Sequence, residues 1–549
     1  MPIYEEDESK ESRQEQAEEI LRMYARLSGK RGNWESHWLE IAERVIPNHR
    51  TQFESLGKGS LATKGDRRTE YIFDSTASIA LTRFASILDS LLTPRNQTWH
   101  RIMTSNPELN KDRTVRLYFE EVNRALFKYR YAPVANFSSQ NQQNYKSLGA
   151  YGTGCVFVDP LQNAIGIRYR NVHLSEIYFC ENHQGIVDTA LRYFPLTIRQ
   201  AKQKWGDKLP DTLLEKGKHK PDDEYFFIHC VKPRENYDPG RADFRGMKYA
   251  SYYVSEEGRA FLEEGGYETF PYAISRYEQA DGEVYGRSPA MEVLPAIKTL
   301  NEEKKTLLKQ GHRSVDPVIL THDDGVLDAF SLKPGSIISG AVSEQGRSLV
   351  QTLPVGNVAV GKDLMDDERR LINDVFLVNL FQILVESPQM SATEVMERSR
   401  EKGILLAPTI GRQQSEYLGP LIDREIDLLA RQGLLPPQPA ILKEAEGEYR
   451  TEYDSPLSRT QRAEEASGIM RTVETALSVV NITQDPSPLD HFDWDTIIPA
   501  VAEIQAVPAK WIRGAKEVAA IRAARQQQQE VQTAIQAGPS VASVVKATQ

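Results

Sequence analysis

The sequence predicts a helix-rich α+β chain, and three observations carry that prediction. Apolar residues recur at helical spacing through most of the first 130 positions. After Tyr151-Gly152-Thr153-Gly154 the period changes to short β-rich runs separated by Gly, Pro and Asn. Helical patterning then returns near Ser288-Pro289 and holds for most of the remaining chain, interrupted by a short β-rich insert at 315–360. A length of 549 residues corresponds to about three or four domain-sized units.

Residues 1–12 are charged and are expected to be frayed. The helix after them places Ile20, Met23, Tyr24 and Leu27 on one side. A second helix takes Asn33 as its cap, carries the stripe Trp34, Trp38, Ile41, Ala42 and Val45, and stops at Pro47. Residues 48–70 are rich in Gly, Lys and Ser and read as a loop. A third helix starts near Asp74 with Ala77, Ala80, Leu81, Phe84, Ile87, Leu88 and Leu91 along its apolar side, and Thr93-Pro94 closes it. Val115, Tyr118, Phe119, Val122 and Leu126 mark a fourth.

The β-rich runs are Cys155–Val158, Ile165–Tyr169, Ile177–Phe179, Leu191–Phe194, Tyr225–Val231 and Tyr249–Val254, so residues 150–280 read as a mostly antiparallel sheet with a helix at 197–205. The helix from Ser288-Pro289 reaches about Ser314, with Pro295 close enough to its start to kink it without abolishing it. Short strands follow at Pro317–Leu320, Ser336–Ser339 and Leu349–Leu353, and helix resumes at 361. Two helices of roughly 35 Å, at 1.5 Å per residue, would thus leave one body and return to it, a stalk with a cap.

Residues 375–385, Val-Phe-Leu-Val-Asn-Leu-Phe-Gln-Ile-Leu-Val, are too apolar for a helix with one wet face. The small polar loop Glu386-Ser387-Pro388-Gln389-Met390 breaks the run. A new helix opens at Ser391, with Glu394 completing a capping box and Met390 placed to staple to Val395. It runs with irregularity past Pro408 and Gly411 to Arg431, where Gly433 and Pro436-Pro437 stop it. A hinge at 436–456 leads to helices at 457–480 and about 508–530. The tail from Gln526 onward is of low complexity, either an extension of helix or disorder.

Composition narrows the function. The 67 basic and 77 acidic residues leave a formal charge of −10, so the chain does not grip nucleic acid by a net positive field. Cys155, Cys180 and Cys230 lie far apart without a Cys-x-x-Cys and read as reduced core residues in a cytosolic setting. The acidic N-terminus carries no signal-peptide pattern. No run reaches the roughly 18 apolar residues of a membrane helix.

The motifs that could carry catalysis fail on inspection. Gly356-Asn-Val-Ala-Val-Gly361-Lys362-Asp363 has the spacing of a phosphate loop, but Asp363 stands where a Ser or Thr hydroxyl must hold Mg²⁺. Asp363, Asp366 and Asp367 suit a helix N-terminus instead. Tyr151-Gly-Thr-Gly is half a dinucleotide fingerprint with no βαβ unit behind it, and a tight turn from helix to sheet explains it better. The histidines form no H-E-x-x-H pair, and His322-Asp323-Asp324 runs directly into Gly325, as an exposed turn does. No Gly-x-Ser-x-Gly occurs. Lys58, Lys64, Arg67 and Arg68 could touch phosphates but have no interleaved aromatic residues, so solvation explains them. These observations predict no enzyme, no cofactor and no metal. The apolarity before Glu386 fits either a large internal core or a subunit interface. A ring of helical pairs would bury those faces side by side.

Seven segments, in order and spread over about 400 residues, carry a resemblance. They are Tyr71-Ile-Phe-Asp-Ser-Thr-Ala77; Leu91-Leu-Thr-Pro94 with Trp99; Tyr151-Gly-Thr-Gly154; Val187-Asp-Thr with Thr197-Ile-Arg-Gln-Ala201 and Trp205-Gly206; Tyr285-Gly-Arg-Ser-Pro-Ala290 with Leu294-Pro-Ala-Ile-Lys298; Met390-Ser-Ala-Thr-Glu-Val-Met-Glu-Arg398; and Ser455-Pro-Leu-Ser-Arg-Thr-Gln-Arg462. The chain resembles the portal proteins, or head-to-tail connectors, of short-tailed, podovirus-type bacteriophages. The acidic head and the Gln-rich tail match nothing in that pattern.

The resemblance implies a dodecameric ring at one capsid vertex. It implies a wing at 1–285, a stem helix at 286–314, a small α/β clip at 315–360 and a second stem helix at 361–384. A tunnel loop at 385–391 (Glu386, Ser387, Pro388, Gln389, Met390), a long wing helix and hinge at 392–454 and a helical crown at 455–549 follow. Phe376, Leu377, Leu380, Phe381 and Leu384 are the expected subunit interface. The implied partners are further copies of the chain, double-stranded DNA in the channel, the terminase packaging motor, tail or adaptor proteins, and capsid and scaffolding proteins, with no membrane. The implied location is the virion, after assembly in the host cytoplasm. Charge then suggests the mechanism. Each Lys or Arg contact to DNA adds affinity through counterion release, so an acidic channel with few basic contacts lets DNA slide. Glu386, Ser387 and Gln389 suit a loop that touches DNA lightly, with Pro388 and Met390 at its base. This is passive conduction, with ATP hydrolysed by a separate motor. The alternatives are a nucleotide-dependent enzyme built on the degenerate loop 356–363 and an intracellular scaffold joined by long helices.

Overall fold

The computed structural model describes residues 3–49, 53, 69–70, 72–162, 164–321, 335–337, 339–353, 358–379, 406–444, 449–453, 456–504, 507, 511–514, 517–530 and 532. The architecture is helix-rich α+β with several small sheets. The chain divides into two compact units, one of Met1–Leu88, Gln140–Phe157 and Asn171–Met390, the other of Asp89–Ser139, Val158–Arg170 and Ser391–Gln549.

The first unit is built on an antiparallel meander of five strands, Ile177–Glu181, Val187–Thr197, Glu224–Pro233, Tyr249–Ser255 and Ala260–Tyr267, each paired with the next. Side chains alternate across a strand, so neighbours in sequence feed opposite layers. Leu191, Ile228, Cys230 and Val254 pack against Ala17 and Ile20 of the helix Ile3–Lys30. Tyr24 of that helix stacks on Tyr193 at 4.7 Å. Phe194, Phe227 and Leu262 face the other way, onto Ile198, Ala201 and Trp205 of the helix Ile198–Trp205. That helix is well specified: Thr197 and Gln200 form a reciprocal capping box, and Gly206, at φ +57°, ends it. Thr153–Pro160 pairs antiparallel with Tyr272–Arg276 in a second sheet.

Several expectations need correction. The first helix begins at Ile3, so residues 3–12 are helical, as a run rich in strong helix formers allows. Asn33 does not cap the second helix, Gly32–Arg44. Arg31 occupies that junction, its buried guanidinium donating to the carbonyls of Leu174, Ser175 and Ile177. Trp38, Ile41, Ala42 and Val45 are buried as the stripe predicts. The described part of Ser336–Ser339 is not a strand; Gly335 and Gly340, both at positive φ, flank it with turns. The helix Phe137–Tyr151 escaped prediction because it is rich in Ser, Gln and Asn, which bury Asn141, Asn144 and Ser147 on its inner side. Strands Ala260–Tyr267 and Tyr272–Arg276 and the helix Asp211–His219 were also unassigned. Most of 48–70, together with His322–Asp324, lies outside the described residues. Cys155 and Cys230 are buried and Cys180 half-buried, all as free thiols, and burial pushes the Cys230 thiol up to about 12.

In the second unit the helix Arg113–Arg130 is capped by Asp112, which accepts from the backbone of Thr114 at 2.8 Å. It buries Val115, Phe119, Val122 and Leu126. The strand His100–Thr104 pairs antiparallel with Tyr449–Tyr453, a ladder hidden inside the expected hinge. The helix Gly419–Arg431 follows a π-helical stretch, Gln413–Leu418, whereas Pro408 and Gly411, which the sequence singled out, lie in regular helix. Gly433 ends it in a Schellman motif, with Gly433 N–H on Ala430 O and Leu434 N–H on Leu429 O, both 3.0 Å. At the centre of this unit Arg130 and Glu425 form a fully buried ion pair. Tyr169 donates to Glu425 at 2.6 Å, and Arg130 donates to His100 Nε2 at 2.8 Å. Burial and the adjacent guanidinium hold the His100 imidazole well below its ordinary value, so it is neutral and accepts that bond. The C-terminal helices Pro456–Thr483, Trp494–Ile504 and 517–530 contrast with this core. Among the described residues from 467 to 530 none is buried.

Candidate functional site

The first unit holds the two helices that the sequence read as a stalk, Leu294–Val315 and Val358–Val375, about 33 Å and 27 Å long at 1.5 Å per residue. Leu307 lies beside Gly361 and Glu303 beside Glu368, so positions fall along one helix as they rise along the other and the pair is antiparallel. A β ladder, Ile319–Thr321 with Val350–Thr352, closes the far end.

The root of the pair is tied into the unit by two locks. In the first, Tyr151-Gly-Thr-Gly meets Tyr285-Gly-Arg-Ser backbone to backbone. A Cβ on Gly152 would stand 2.3 Å from the Gly286 carbonyl oxygen, and one on Gly286 would stand 2.2 Å from that of Gly152. Gly152 also sits at φ +75°, which favours glycine. Thr153 Oγ1 accepts from Gly286 N–H at 2.9 Å, and Ser288 Oγ donates to Ala150 O at 2.8 Å. Ser288 then caps the short turn Pro289–Glu292 from which the first long helix leaves. The half-fingerprint is thus the tight turn from helix to sheet that the sequence predicts.

The second lock is Asp74. Its carboxylate accepts from Thr76 N–H at 3.0 Å and from Arg369 Nη2 at 2.6 Å. Asn301 of the first long helix accepts from the backbone of Phe73 and Asp74, both at 3.1 Å. Arg369 belongs to the second, so one turn before the helix Thr76–Leu92 anchors both. Burial alone would raise the Asp74 carboxyl. The hydrogen bonds from Thr76 and Arg369 outweigh it and hold the group below its ordinary value.

Away from the root the pair is unfinished. Val360, Leu364 and Leu371 of the second helix and Leu308 and Val315 of the first are exposed, Val315 at 89%. In the cap, Val318, Leu320 and Val342 are exposed as well. The first helix carries five Lys or Arg against two Glu, the second five acidic residues against three basic. Among the described residues no ion pair joins the two; their pairs run within a helix or to another part of the unit. Glu303 and Glu368 instead face each other, each with one shielded oxygen lacking a partner. Burial, then the Glu368 charge, pushes the Glu303 carboxyl up.

The sequence-derived site residues fall unevenly on this frame. Glu386, Ser387, Pro388, Gln389 and Met390, with Leu380, Phe381 and Leu384, lie outside the described residues. Within the helix expected over 361–384, the run Val358–Val375 gives way to a two-residue turn in which Leu377 adopts φ +62°; Val378 and Asn379 are helical again, and 380–384 lie outside the described residues. That left-handed backbone costs a Leu about 1–2 kcal/mol. It lets Phe376 and Val378 both bury, Phe376 edge-on to Phe84 with centroids 6.1 Å apart. Phe376 is therefore covered by its own chain and has no surface left for a neighbour, while Leu377 is half-buried. The degenerate phosphate loop is also reshaped: helix begins at Val358, and Gly361 serves to pack against Leu307. Sequence reasoning missed Asp74, Asn301 and Arg369 as anchors. Only the two flanking motifs, Tyr71–Ala77 and Leu294–Lys298, hinted at them.

The first unit thus carries a helical pair rooted by polar locks at one end, with apolar side chains exposed along its outer length. The family model for bacteriophage head to tail connecting proteins matches residues 17–512. The chain is 29% identical over 525 residues to a probable portal protein of Bordetella phage BPP-1, covering 93% of this chain and 91% of that one. It is 28% identical over 544 residues to the portal protein of Salmonella phage epsilon15, covering 96% and 94%. The chain belongs to the bacteriophage head-to-tail connecting protein family and serves as a portal protein, a structural and not an enzymatic part of the virion. No helix among the described residues is long and apolar enough to cross a membrane.

Proposed function

We propose that copies of this chain close into a ring, twelve by family resemblance, around a channel at one capsid vertex. Double-stranded DNA enters through it during packaging and leaves at ejection. Residues 286–314 and 361–384 act as the stem and 315–360 as the clip to which the terminase motor, then tail or adaptor proteins, attach. The loop 385–391 acts as the tunnel loop, 1–285 and 392–454 as wing, and 455–549 as crown. Capsid and scaffolding proteins meet the outer surface, and assembly takes place in the host cytoplasm. The observation that carries this reading is the run of exposed apolar side chains along the pair and its cap. Such surface on a lone subunit calls for cover, and a ring of like subunits supplies it. The channel conducts passively, its net acidic subunits offering DNA few contacts that would hold it. Negative-stain microscopy of the purified chain tests the reading. Closed rings with a central hole are expected; a chain that stays single at high concentration overturns it.

A further inference from the structure

We infer that the stem is closed by charge as well as by apolar contact. The basic stripe of Leu294–Val315 on one copy docks on the acidic stripe of Val358–Val375 on the next. This rests on the ring reading above. Lys305, Lys309 and Arg313 recur every four residues and so share one face of the first helix. Lys309 and Arg313 are exposed, and Lys305 keeps 39% of its side chain in water, with a surface contact to Glu302 at 3.4 Å and its ammonium 5.6 Å from the centre of the Phe73 ring. Leu308 and Val315, seven apart, form the apolar strip beside it. On the second helix Asp363, Asp367 and Asp374 are exposed along one face, where Arg370 holds Asp367 by a surface pair at 3.3 Å, with Val360, Leu364 and Leu371 as the adjoining strip. Each helix thus presents an apolar seam edged by charge of a single prevailing sign, and the signs are opposite.

The two stripes do not satisfy each other within one chain. The internal contact brings Glu303 against Glu368 and leaves each with an unpartnered oxygen. In a closed ring every contact is heterologous, so the first helix of one copy meets the second helix of its neighbour. Rotation about an axis along the pair leaves heights unchanged. Leu307 is level with Gly361 and Glu303 with Glu368. Lys305 therefore comes level with 363–366, between Asp363 and Asp366, and Lys309 with 359–362, within about one turn of Asp363, on the next copy. Stem cations placed this way are occupied between subunits and are withheld from DNA, which the low-friction channel requires.

Charge reversal and exchange on the full chain test this. Ring fraction would be read by mass photometry, with circular dichroism and thermal melting confirming that each variant folds. Lys305→Glu with Lys309→Glu should lower the ring fraction about 10-fold or more, and Asp363→Lys with Asp367→Lys should do the same. The four changes together should recover most of the wild-type fraction, and raised salt should weaken wild-type rings. Intact rings in either double variant, or a fourfold variant worse than both, overturns the inference. So does a Lys305→Glu/Lys309→Glu ring that is intact but binds less DNA, which would put the basic stripe in the channel. If the wild type forms no ring, the proposed function itself fails; if only the variants behave otherwise, it stands.

Discussion

At the root of the helical pair, polar groups find partners within the chain and backbones touch. Along its length and through the C-terminal helices, apolar side chains stand in water. The root is finished by its own sequence: Gly152 against Gly286, Asp74 against Arg369, Asn301 against the Phe73–Asp74 amides. The helix Pro456–Thr483 offers the opposite picture. Ile482 is 83% exposed, and none of its described side chains from 467 onward is buried. Most helical stability in proteins comes from packing an apolar face, not from propensity. The first kind of region can be judged from one chain, whereas the second makes sense only with neighbours present. Substitutions should separate the two by where they act, the root on subunit stability and the open surfaces on assembly.

The largest effect is expected at the glycine contact. Gly286→Ala drives a methyl into the Gly152 carbonyl, and backbone on both sides leaves nowhere to yield. A loss of ~4 kcal/mol or more is expected, at the far end of single-substitution effects. The urea midpoint of the subunit, or failure to obtain soluble protein, measures it. A near-normal midpoint would mean that the two motifs do not meet this way.

Next comes the buried ion pair of the second unit. Glu425→Ala leaves Arg130 charged and surrounded by Trp99, Phe127 and Phe137, and costs about 3–5 kcal/mol. Glu425→Gln keeps the shape and an acceptor for Tyr169 and should cost less. Equal losses in the two variants would show that packing, not charge, sets the value of the site.

A smaller effect belongs to the Asp74 lock. Arg369→Ala removes donors from a nearly buried carboxylate and should cost about 1–3 kcal/mol in denaturant titrations. The pH dependence has a definite sign. The folded carboxyl lies below the ordinary 3.8, so its contribution is complete above that value. It is lost as pH falls through the lower, folded value. Wild type should therefore lose stability on acidification below about pH 4 more steeply than Arg369→Ala does. Parallel curves would remove Asp74 from the account.

Legibility followed the same divide. Helices with a clean stripe, such as Trp38, Ile41, Ala42 and Val45, were readable because burial has a period. The meander was readable where Val, Ile, Phe and Tyr cluster, less so at Ala260–Tyr267, where two Glu and two Gly dilute the alternation. Phe137–Tyr151 was not readable, since its buried positions include Asn and Ser whose partners lie elsewhere in the chain, such as Asn144 on Ser275. The ladder His100–Thr104 with Tyr449–Tyr453 and the Asp74–Arg369 pair join positions hundreds of residues apart, and no local pattern encodes such a meeting. The apolar run before Glu386 was legible as an excess needing cover. Of the five residues expected at an interface, Phe376 is folded under Phe84 by a turn at Leu377, and Leu380, Phe381 and Leu384 lie outside the described residues.

That reassignment sets up the smallest expected effect on the subunit and the sharpest test of the comparison. If the open seam of the second helix is the assembly surface, Leu371→Ser removes a side chain that is 48% exposed and should change subunit stability by no more than about 0.5 kcal/mol. Phe376→Ser, five residues on, empties a fully buried site beside Phe84 and should cost about 3 kcal/mol or more. Assembly should rank them differently. At equal concentrations of folded protein, Leu371→Ser should show a clear loss of rings, because every interface in the closed assembly carries the change. Ring yield from Phe376→Ser should follow only its smaller folded fraction. The two variants can thus be compared in one titration, with denaturant midpoint on one axis and ring yield on the other. Leu371→Ser falling on the line set by Phe376→Ser would place both residues in a common core and leave the second helix with no assembly role.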